Sequence, residues 1–285
     1  MNRFRLLRLT IIESRHGEVG KKSKMHRTGI LKKPARPSVT AAVTVFLCLA
    51  VALGTCAKAG AEIPTSQRAR EAVARVAPQL KQALARAGLA YGAPIFIRLF
   101  KQEKQLELWV RQGHRFVLFK TYPVCTYGGR GLGPKTQQGD GKAPEGFYYV
   151  APAALNPLSK FHLSFNLGYP NRYDRTHGRT GGALMIHGDC VSIGCYAMTD
   201  RAIEEIFTLA DAAFRNGQRF FRVHIFPFRM TDANMGGYGR SPWRSFWKNL
   251  KEGYDFFERN GHIPPNVEVK DRRYIFNETR RASGG

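Results

Sequence analysis

Apolar side chains recur every three or four positions between residues 66 and 87, which is the period of an α-helix. Four of them share one helical face: Val73, Val76, Leu80 and Leu84. Gly88 follows as a stop signal, and Pro78 inside the segment is a point at which the helix would kink or split. The pattern predicts a surface helix packed on the domain that follows.

A different pattern begins at residue 94, where short apolar segments rich in aromatic and β-branched residues alternate with polar turns. Three such segments come close together: 94–100, 106–112 and 115–124. Their spacing predicts an antiparallel meander. The glycine-rich segment 125–146 has no apolar period and predicts a long loop, and loops of that length in compact domains are usually functional.

The strand pattern returns in four later segments: 147–152, 161–170, 183–188 and 219–228. Between the last two, residues 199–217 have helical spacing, with Thr199 as N-cap and Gly217 as the end. Aromatic residues return at helical spacing in residues 241–261. The chain is therefore predicted to be mainly β, of the α+β class, with one inserted helix and helical segments at both ends.

The first 61 residues have the composition of a targeting segment. Ala41–Gly54 is uncharged over fourteen residues, shorter than the roughly 20 that a spanning helix needs, and it has the length of a signal-peptide apolar core. Basic residues precede it, and Ala57–Ala61 offers two A-x-A cleavage patterns. Met25 would begin a signal peptide of normal proportions and is the favoured translation start. No membrane span is expected after cleavage.

Export is predicted whether the leader is removed at an A-x-A pattern or is processed as a lipoprotein at Cys56. Leu53–Cys56 approaches a lipoprotein box, but Thr55 stands where Gly, Ala or Ser is usual, so lipidation of Cys56 is the weaker alternative. The predicted location is the periplasm or cell envelope, an oxidising compartment. The formal net charge of +24, of which +9 lies in residues 1–40, favours polyanionic surroundings. Because basic residues after residue 60 are scattered, no nucleic-acid partner is predicted.

Length and composition complete the outline of the chain. With 285 residues, 43% of them hydrophobic and 23% charged, it can bury a sizeable core. Four segments are predicted: a leader and signal peptide (1–61), an N-terminal helical segment (62–93), a β-rich domain (94–228) and an aromatic-rich helical extension (229–285).

One short segment, Gly182–Asp200, holds a histidine and two cysteines within nine residues. As a zinc site, His187, Cys190 and Cys195 would need a fourth ligand from elsewhere, and structural zinc sites normally have two paired knuckles. As a structural disulfide, Cys190 could pair with Cys195 or with Cys125. Three cysteines remain after signal cleavage, so at least one is left without a partner in the same chain.

Nucleophilic catalysis explains more of this segment. A cysteine reacts as its thiolate, so it needs a nearby base or an oriented positive dipole. Cys195 precedes the predicted helix, whose N-terminus would direct N–H groups toward the sulfur. Gly194 lets a substrate carbonyl approach the backbone, where local N–H groups would form an oxyanion hole. His187 can reach Cys195 if residues 188–194 turn back, which Gly188 permits.

The stretch "IHGDCVSIGCYAM" resembles the active-site signature of the YkuD-type L,D-transpeptidases, in which an H-G dipeptide precedes an S-x-G-C segment. His187-Gly188 and Ser192-Ile193-Gly194-Cys195 take those places. Three upstream residues match the approach to the G-x-F/Y strand of that family: Pro144, Gly146 and Phe147. The resemblance covers Pro94–Phe228 and implies a YkuD-like β-sandwich or barrel as the catalytic domain. Its short loop is similar to the murein L,D-transpeptidase-like subgroup.

The resemblance implies an exported enzyme that acts on the diaminopimelate carbonyl of peptidoglycan (murein) stem peptides through a Cys195 thioester. His187 would move the proton, oriented by a backbone carbonyl or by Ser192, and no metal or organic cofactor is implied. An incoming amine would give transpeptidation, whereas water would give L,D-carboxypeptidase or amidase activity, including cleavage of murein–lipoprotein links. The support and oxyanion candidates are Gly188, Ser192, Gly194 and Tyr196.

Members of this family usually carry an Arg two residues after the Cys, where this chain has Ala197. Arg172 and Arg179 on the preceding loop are the candidates to replace it, and solvated surface charge is an equally good interpretation of both. Tyr169 and Tyr173 are further candidates for lining the substrate groove, as is the tyrosine that follows the cysteine, with core packing as the alternative for each.

Two other classes of function stay open. A non-catalytic module would use its basic face to hold murein. A papain-like peptidase would need its histidine far downstream of the cysteine, at His224 or His262. The role of Cys190 also stays open, because a reversible bond to Cys195 under oxidation would switch an enzyme off.

Overall fold

The computed structural model describes residues 62–129 and 131–278. The predicted leader and signal peptide, with Met25 and Cys56, lie outside the described residues. The helices in these ranges are α1 (Gln67–Arg86), α2 (Arg172–Thr176), α3 (Asp200–Arg215), α4 (Asp232–Gly237) and α5 (Arg244–Arg259). The strands are β1 (Ile95–Phe100), β2 (Gln105–Gln112), β3 (Arg115–Pro123), β4 (Gly146–Val150), β5 (Leu155–Asn156), β6 (Ser164–Asn166), β7 (Met185–His187), β8 (Tyr196–Ala197), β9 (Phe221–Phe226), β10 (Asn266–Lys270) and β11 (Arg273–Asn277).

The larger sheet has five strands in the order β3-β2-β1-β9-β4. β1, β2 and β3 form the predicted antiparallel meander, with Ile97 opposite Leu108 and Trp109 opposite Leu118. β9 enters beside β1 in parallel and pairs with β4 in the antiparallel sense. Because side chains alternate along a strand, one face of the sheet packs with α1 and α3 and the other with α5.

A smaller sheet, in the order β5-β6-β7-β8, carries the histidine–cysteine segment. β7 pairs with β6 in the antiparallel sense and with β8 in parallel. β5 and β8 are two residues long, too short to produce a sequence pattern, and they are not predicted. The strand predicted over 161–170 is confined to three residues, because Gly168 has a φ of +73° and turns the chain toward α2.

The two long helices of the main core, α1 and α3, pack against each other. α1 is one continuous helix although Pro78 lies inside it. Leu80 and Leu84, which follow the proline, are buried in the core and offset the hydrogen bond lost there. α3 begins after Thr199, whose side chain accepts from the Ala202 N–H, as the N-cap prediction requires.

The C-terminal segment adds a second, aromatic core. α5 lies where the aromatic spacing predicts a helix. The β10–β11 hairpin after it is not predicted, since its strands are five residues long and pair only with each other. The Asn249 side chain fixes the hairpin to α5, donating to the Tyr274 carbonyl and accepting from the Tyr274 N–H. The extension is therefore a helix plus a hairpin rather than helical throughout.

A buried ion pair fixes the glycine-rich loop 125–146. Lys101 lies directly after β1 and Glu145 directly before β4, with 3.0 Å between Nζ and Oε1 and both side chains fully buried. The ammonium also donates to the Gly133 carbonyl. The carboxylate accepts from the Gly133 N–H and from the Trp247 indole. The loop is therefore tied both to β1 and to α5.

In the described residues, two larger sheets and a two-stranded hairpin together with five α-helices confirm the predicted α+β class. Across residues 62–129 and 131–278, no helix combines the length and the apolar character that crossing a bilayer would require. The smaller sheet, the turn after β7 and the glycine-rich loop are the elements that position the candidate site.

Candidate active site

Strand pairing brings the two candidate catalytic residues onto one face. β7 ends at His187 and Cys195 lies directly before β8, with Ile186 opposite Tyr196 and His187 opposite Ala197. Side chains two positions apart on a strand share a face, so His187 and Cys195 are diagonal neighbours across the two strands. Diagonal neighbours lie about 7–8 Å apart, within reach of an aromatic side chain. The chain between them turns back, as the sequence predicts.

The imidazole of His187 is buried and held from two sides. Its Nδ1 donates to the Gly188 carbonyl at 2.6 Å, which leaves Nε2 as the nitrogen that accepts a proton. The ring of Phe161 packs on it with centroids 4.7 Å apart. Burial lowers the pKa of His187 below its ordinary value of 6.5, although the Gly188 carbonyl opposes the shift. The neutral imidazole that a general base requires is therefore the form present at neutral pH.

The sulfur of Cys195 contacts two backbone groups, one in β7 and one just before it. The Met185 N–H donates to Sγ at 3.4 Å, and the thiol donates to the Ala183 carbonyl at 3.7 Å. Burial raises the pKa of the thiol, partly offset by the Met185 N–H and by the charge of Lys135. β8 lies between Cys195 and α3, so the amide of Met185 takes the place that the sequence assigned to the helix N-terminus.

The turn 188–194 is closed by its own serine. Ser192 Oγ donates to the Cys195 carbonyl at 2.7 Å and accepts from the Gly194 N–H at 3.0 Å. Of the two predicted partners for His187, the structure therefore has the backbone carbonyl, and Ser192 stabilises the turn. The Gly194 amide, which the sequence places in an oxyanion hole, is already used by this hydrogen bond.

Close packing holds the turn against the elements around it. A Cβ at Gly188 would lie 2.5 Å from Asp200 Oδ1, and the Asp189 N–H donates to that same oxygen at 2.8 Å. A Cβ at Gly194 would lie 3.3 Å from the Lys142 carbonyl. The turn is thus fitted between the first residue of α3 and the glycine-rich loop, where Gly188 is favoured by space and Gly194 by its φ of +156°.

A disulfide joins Cys125 to Cys190, and Cys195 is the unpaired cysteine of the described residues. This resolves the pairing that the sequence leaves open. The hypothesis of a reversible Cys190–Cys195 bond is wrong, because Cys190 is already paired with Cys125, and the zinc cluster would lose Cys190 as a ligand. The Cys125 N–H also donates to the Ala197 carbonyl and the Cys190 N–H to the Met198 carbonyl. The disulfide therefore clamps the turn to the chain that leaves β3.

Removing this clamp with Cys125→Ala and Cys190→Ala is expected to lower the free energy of unfolding by about 2–4 kcal/mol, because the bond closes a long loop. Urea unfolding in a Cys195→Ala background, compared with that background alone, measures the effect. Dithiothreitol should bring the background protein down to the double variant. Equal midpoints for the two oxidised proteins would contradict the expectation.

The three tyrosines proposed for the substrate groove are all buried. Tyr196 donates to a backbone carbonyl of the glycine-rich loop at 2.6 Å. Tyr169 donates to the Lys135 carbonyl at 3.2 Å. Tyr173 stacks on Tyr274, with centroids 4.2 Å apart, in the aromatic core. Core packing, the alternative given for each of them, is therefore what the structure has.

Neither candidate arginine makes a contact with the residues around the thiol. Arg179 is buried and paired with Asp174, with 2.7 Å between Nη1 and Oδ1, so its charge is neutralised. Arg172 is exposed at the start of α2 and lines a different cavity. Ala197, at the position of the usual arginine, is fully buried between β7 and Thr126. An arginine at this position would have to enter the packed interior.

Lys135 is the charged residue near the thiol that sequence reasoning missed. Its side chain is buried, with Nζ 2.9 Å from Asp140 Oδ1 and 2.8 Å from the Gln137 carbonyl. Its charge contributes to lowering the pKa of Cys195 against the effect of burial. A Cβ at Gly181 would lie 2.9 Å from Lys135 Cε, so the segment before β7 packs on it. The sequence signal that could have identified Lys135 is a lysine and an aspartate five residues apart in a glycine-rich loop.

The chain that carries this His187–Cys195 site matches a known protein family. The L,D-transpeptidase catalytic domain family YkuD matches residues 95–255, more than half of the chain. The chain belongs to the YkuD family. The resemblance based on the H-G and S-x-G-C segments is thus confirmed, and the chain carries an L,D-transpeptidase catalytic domain. The matched YkuD region includes most of α5, beyond the boundary at residue 228 that the sequence predicts.

Individual relatives agree with the YkuD assignment. "Putative L,D-transpeptidase YafK" of Escherichia coli K12 is 50% identical over 184 residues, which are 65% of this chain and 74% of that protein. The protein of the same name from Escherichia coli O157:H7 matches equally. The helical cell shape determining protein Pgp2 from Campylobacter jejuni is 18% identical, over 62% of this chain and 73% of that chain, with a TM-score of 0.39. That structural likeness is too weak to add evidence.

Proposed function

We propose that the protein is an exported cysteine enzyme that acts on peptidoglycan stem peptides through a Cys195 thioester. The observation that carries this proposal is the placement of His187 and Cys195 on one face of β7–β8, in a chain of the L,D-transpeptidase family. The reacting group is the carbonyl of the diaminopimelate residue at the third position of the stem. The chemistry needs only the thiol, the imidazole and backbone amides.

Acylation is the first step of this mechanism. His187 Nε2 takes the thiol proton as Sγ attacks the carbonyl carbon, which gives a tetrahedral oxyanion. The oxyanion collapses, the C–N bond breaks, and the proton on Nε2 passes to the leaving amine, so that a thioester remains on Cys195. In the second step an amine or water attacks the thioester, gives its proton to His187, and expels the sulfur, which recovers that proton.

One further contact is assigned within this proposal. Because the Gly194 N–H is bonded to Ser192, we assign the oxyanion contact to the amide of Cys195. No side chain is assigned to the substrate carboxylate, because Lys135 is buried and paired with Asp140 just as Arg179 is buried and paired with Asp174.

Hydrolysis is the second candidate outcome of the same thioester. The replacement of the usual arginine by the buried Ala197 supports it, because one cationic contact for a second peptide is absent at that position. Water in place of the amine would make the protein a carboxypeptidase or an amidase, including one that releases a murein-linked lipoprotein. Both outcomes share the acylation step and differ only in what removes the acyl group.

Export to the periplasm or cell envelope belongs to the proposal as well. The Cys125–Cys190 disulfide supports it, because such bonds persist in oxidising compartments and are rare in reducing ones. The net charge of +24 also suits a wall polymer that carries free carboxylates.

Product analysis tests the proposal. Purified protein is incubated with a digest of wall fragments, and the products are identified by mass. New cross-linked dimers indicate transpeptidation, and trimmed monomers indicate hydrolysis. Treatment with a thiol-reactive β-lactam of the carbapenem type should place an adduct on Cys195, with Cys195→Ala as the control. Unchanged fragments without any adduct would instead favour the non-catalytic module.

The pKa shifts of the pair predict the pH dependence. Burial lowers the pKa of His187 below 6.5 and raises that of Cys195 above 9.0, so the resting pair at neutral pH is imidazole and thiol. Protonation of His187 removes the base, so kcat/KM should fall only below pH 6.5. Alkylation of Cys195 by iodoacetamide should be slow near neutral pH and accelerate toward alkaline pH. Fast alkylation that is constant between about pH 5 and 8 would indicate a resting thiolate and contradict this.

A further inference from the structure

A cavity of about 310 Å³ lies between the edge of the larger sheet and the β10–β11 hairpin. Its walls come from β4, α2, β9 and the hairpin, with Tyr149, Arg222 and Val267 among the lining residues. Neither His187 nor Cys195 lines it. The cavity is therefore separate from the candidate active site, and nothing in the proposed chemistry uses it.

The register of the sheet explains which side chains meet there. Tyr149 of β4 lies opposite Arg222 of β9, and Phe147 lies opposite His224. By alternation all four point away from the main core. The hairpin covers one end of this face, where Phe147 packs on the ring of Phe276. The other end stays open, so Tyr149 is 67% exposed, beside Phe220 at 40%.

Three guanidinium groups surround the cavity, from Arg172 and Arg175 of α2 and from Arg222. Within the described residues none of them has a carboxylate partner: Arg175 donates to a backbone carbonyl, and Arg222 lies over the ring of Phe220. Arg179, by contrast, is paired with an acid. Unpaired arginines grouped around a concave surface attract an anionic ligand.

His224 adds a polar atom that lacks a partner. Its side chain is 1% exposed, between the rings of Phe96 and Phe147, and each ring centroid lies 4.7 Å away. Nε2 has no hydrogen-bond partner in the part of the chain that the structure describes. Buried polar groups normally have one, and His224 is among the residues that line the cavity, so this nitrogen adds an unsatisfied polar atom to its wall.

We propose that this cavity, here called the arginine cavity, is an accessory site for a carboxylate-bearing glycan-peptide of the cell wall. Guanidinium groups bind carboxylates through paired hydrogen bonds. The exposed rings of Tyr149 and Phe220 offer an apolar surface to the face of a sugar ring. The choice of murein as the source rests on the proposed function, since a phosphorylated glycan has similar charge. The site would hold a wall strand while a stem peptide reacts elsewhere.

Calorimetric titration of the Cys195→Ala protein with a disaccharide-tripeptide muropeptide tests the proposal without turnover. Arg222→Gln should raise Kd about tenfold, because a charge-assisted contact is lost. Arg111→Gln, an exposed arginine outside the cavity, is the charge-matched control and should change Kd by less than about twofold. Tyr149→Ala should also weaken binding of the muropeptide. Because the Tyr149 side chain is exposed, this loss of binding would not be explained by misfolding. Each variant must have the same thermal unfolding midpoint as the Cys195→Ala protein.

The proposal is overturned if Arg222→Gln and Tyr149→Ala both bind the muropeptide as the parent does. It is also overturned if an uncharged chitooligosaccharide binds as tightly as the muropeptide. Tighter binding of a glucosamine disaccharide bisphosphate would assign the cavity to phosphorylated glycans instead of murein. If the protein with Cys195 intact shows no turnover while the effect of Arg222→Gln on binding persists, the enzyme proposal fails and the arginine cavity stands.

Discussion

Replacing Cys195 by alanine is expected to reduce turnover of wall fragments by at least about a thousandfold, because a nucleophile and its base act as a unit. The thiol is the group that forms the covalent intermediate in the proposed mechanism. His187→Gln should cause a loss of similar size, since the thiol would then keep its proton. Initial rates on a defined muropeptide, with product masses, measure both effects.

Cys195→Ser is the matched control for this prediction. It keeps the size of the side chain and a polar hydrogen, so the contacts with Met185 and Ala183 are preserved. Its thermal midpoint should equal that of the parent while its turnover falls, because a hydroxyl is a far weaker nucleophile than a thiol. Turnover of the alanine variant within about tenfold of the parent would show that the reaction does not pass through this sulfur.

Glu145→Ala should be the most destabilising single substitution among those considered, with a loss of about 3–5 kcal/mol in the free energy of unfolding. The change leaves the Lys101 ammonium buried without its counter-ion, and it also removes the acceptor for the Gly133 N–H and the Trp247 indole. Urea unfolding followed by tryptophan fluorescence measures the loss. The glycine-rich loop should also become sensitive to proteolysis.

Two further variants separate the ion pair from simple packing. Trp247→Phe removes one hydrogen bond to Glu145 and should cost about 1–2 kcal/mol. Lys101→Met combined with Glu145→Met should be less destabilising than Glu145→Ala, because a buried pair replaced by apolar groups leaves no charge behind. If Glu145→Ala costs no more than Trp247→Phe, the buried ion pair does not hold the loop.

Periodic elements were the part of the fold that the sequence could predict. Helix α1 buries one face, so its apolar residues repeat with the period of the element, and the strands of the β1–β3 meander are rich in β-branched and aromatic residues between polar turns. The pair His187 and Cys195 was also predictable, since both lie in one short segment with its own glycines. Short elements carry too few residues for a period, which is why β5, β8 and α2 were not predicted.

The features of the site that the sequence did not predict depend on contacts between segments that are far apart in the chain. Lys135 lies sixty residues before Cys195, and only the folded loop brings its charge to the sulfur. The pairing of Cys125 with Cys190 depends on the junction of β8 with the chain after β3, which no local pattern encodes. Arg179 is a candidate in the sequence for replacing the usual arginine, but it pairs with Asp174, and the sequence does not reveal this pairing because it depends on the formation of α2.

The disulfide beside the candidate nucleophile also has a consequence for making the protein. Three cysteines in the described residues allow three different bonds, and two of these would consume the sulfur of Cys195. Oxidation before β7 and β8 have paired is therefore expected to yield mispaired isomers with no reactive thiol at position 195. Every isomer retains one reduced cysteine, so a thiol count cannot distinguish them. Peptide mapping of the alkylated residue would be the measure of how much of a preparation is competent.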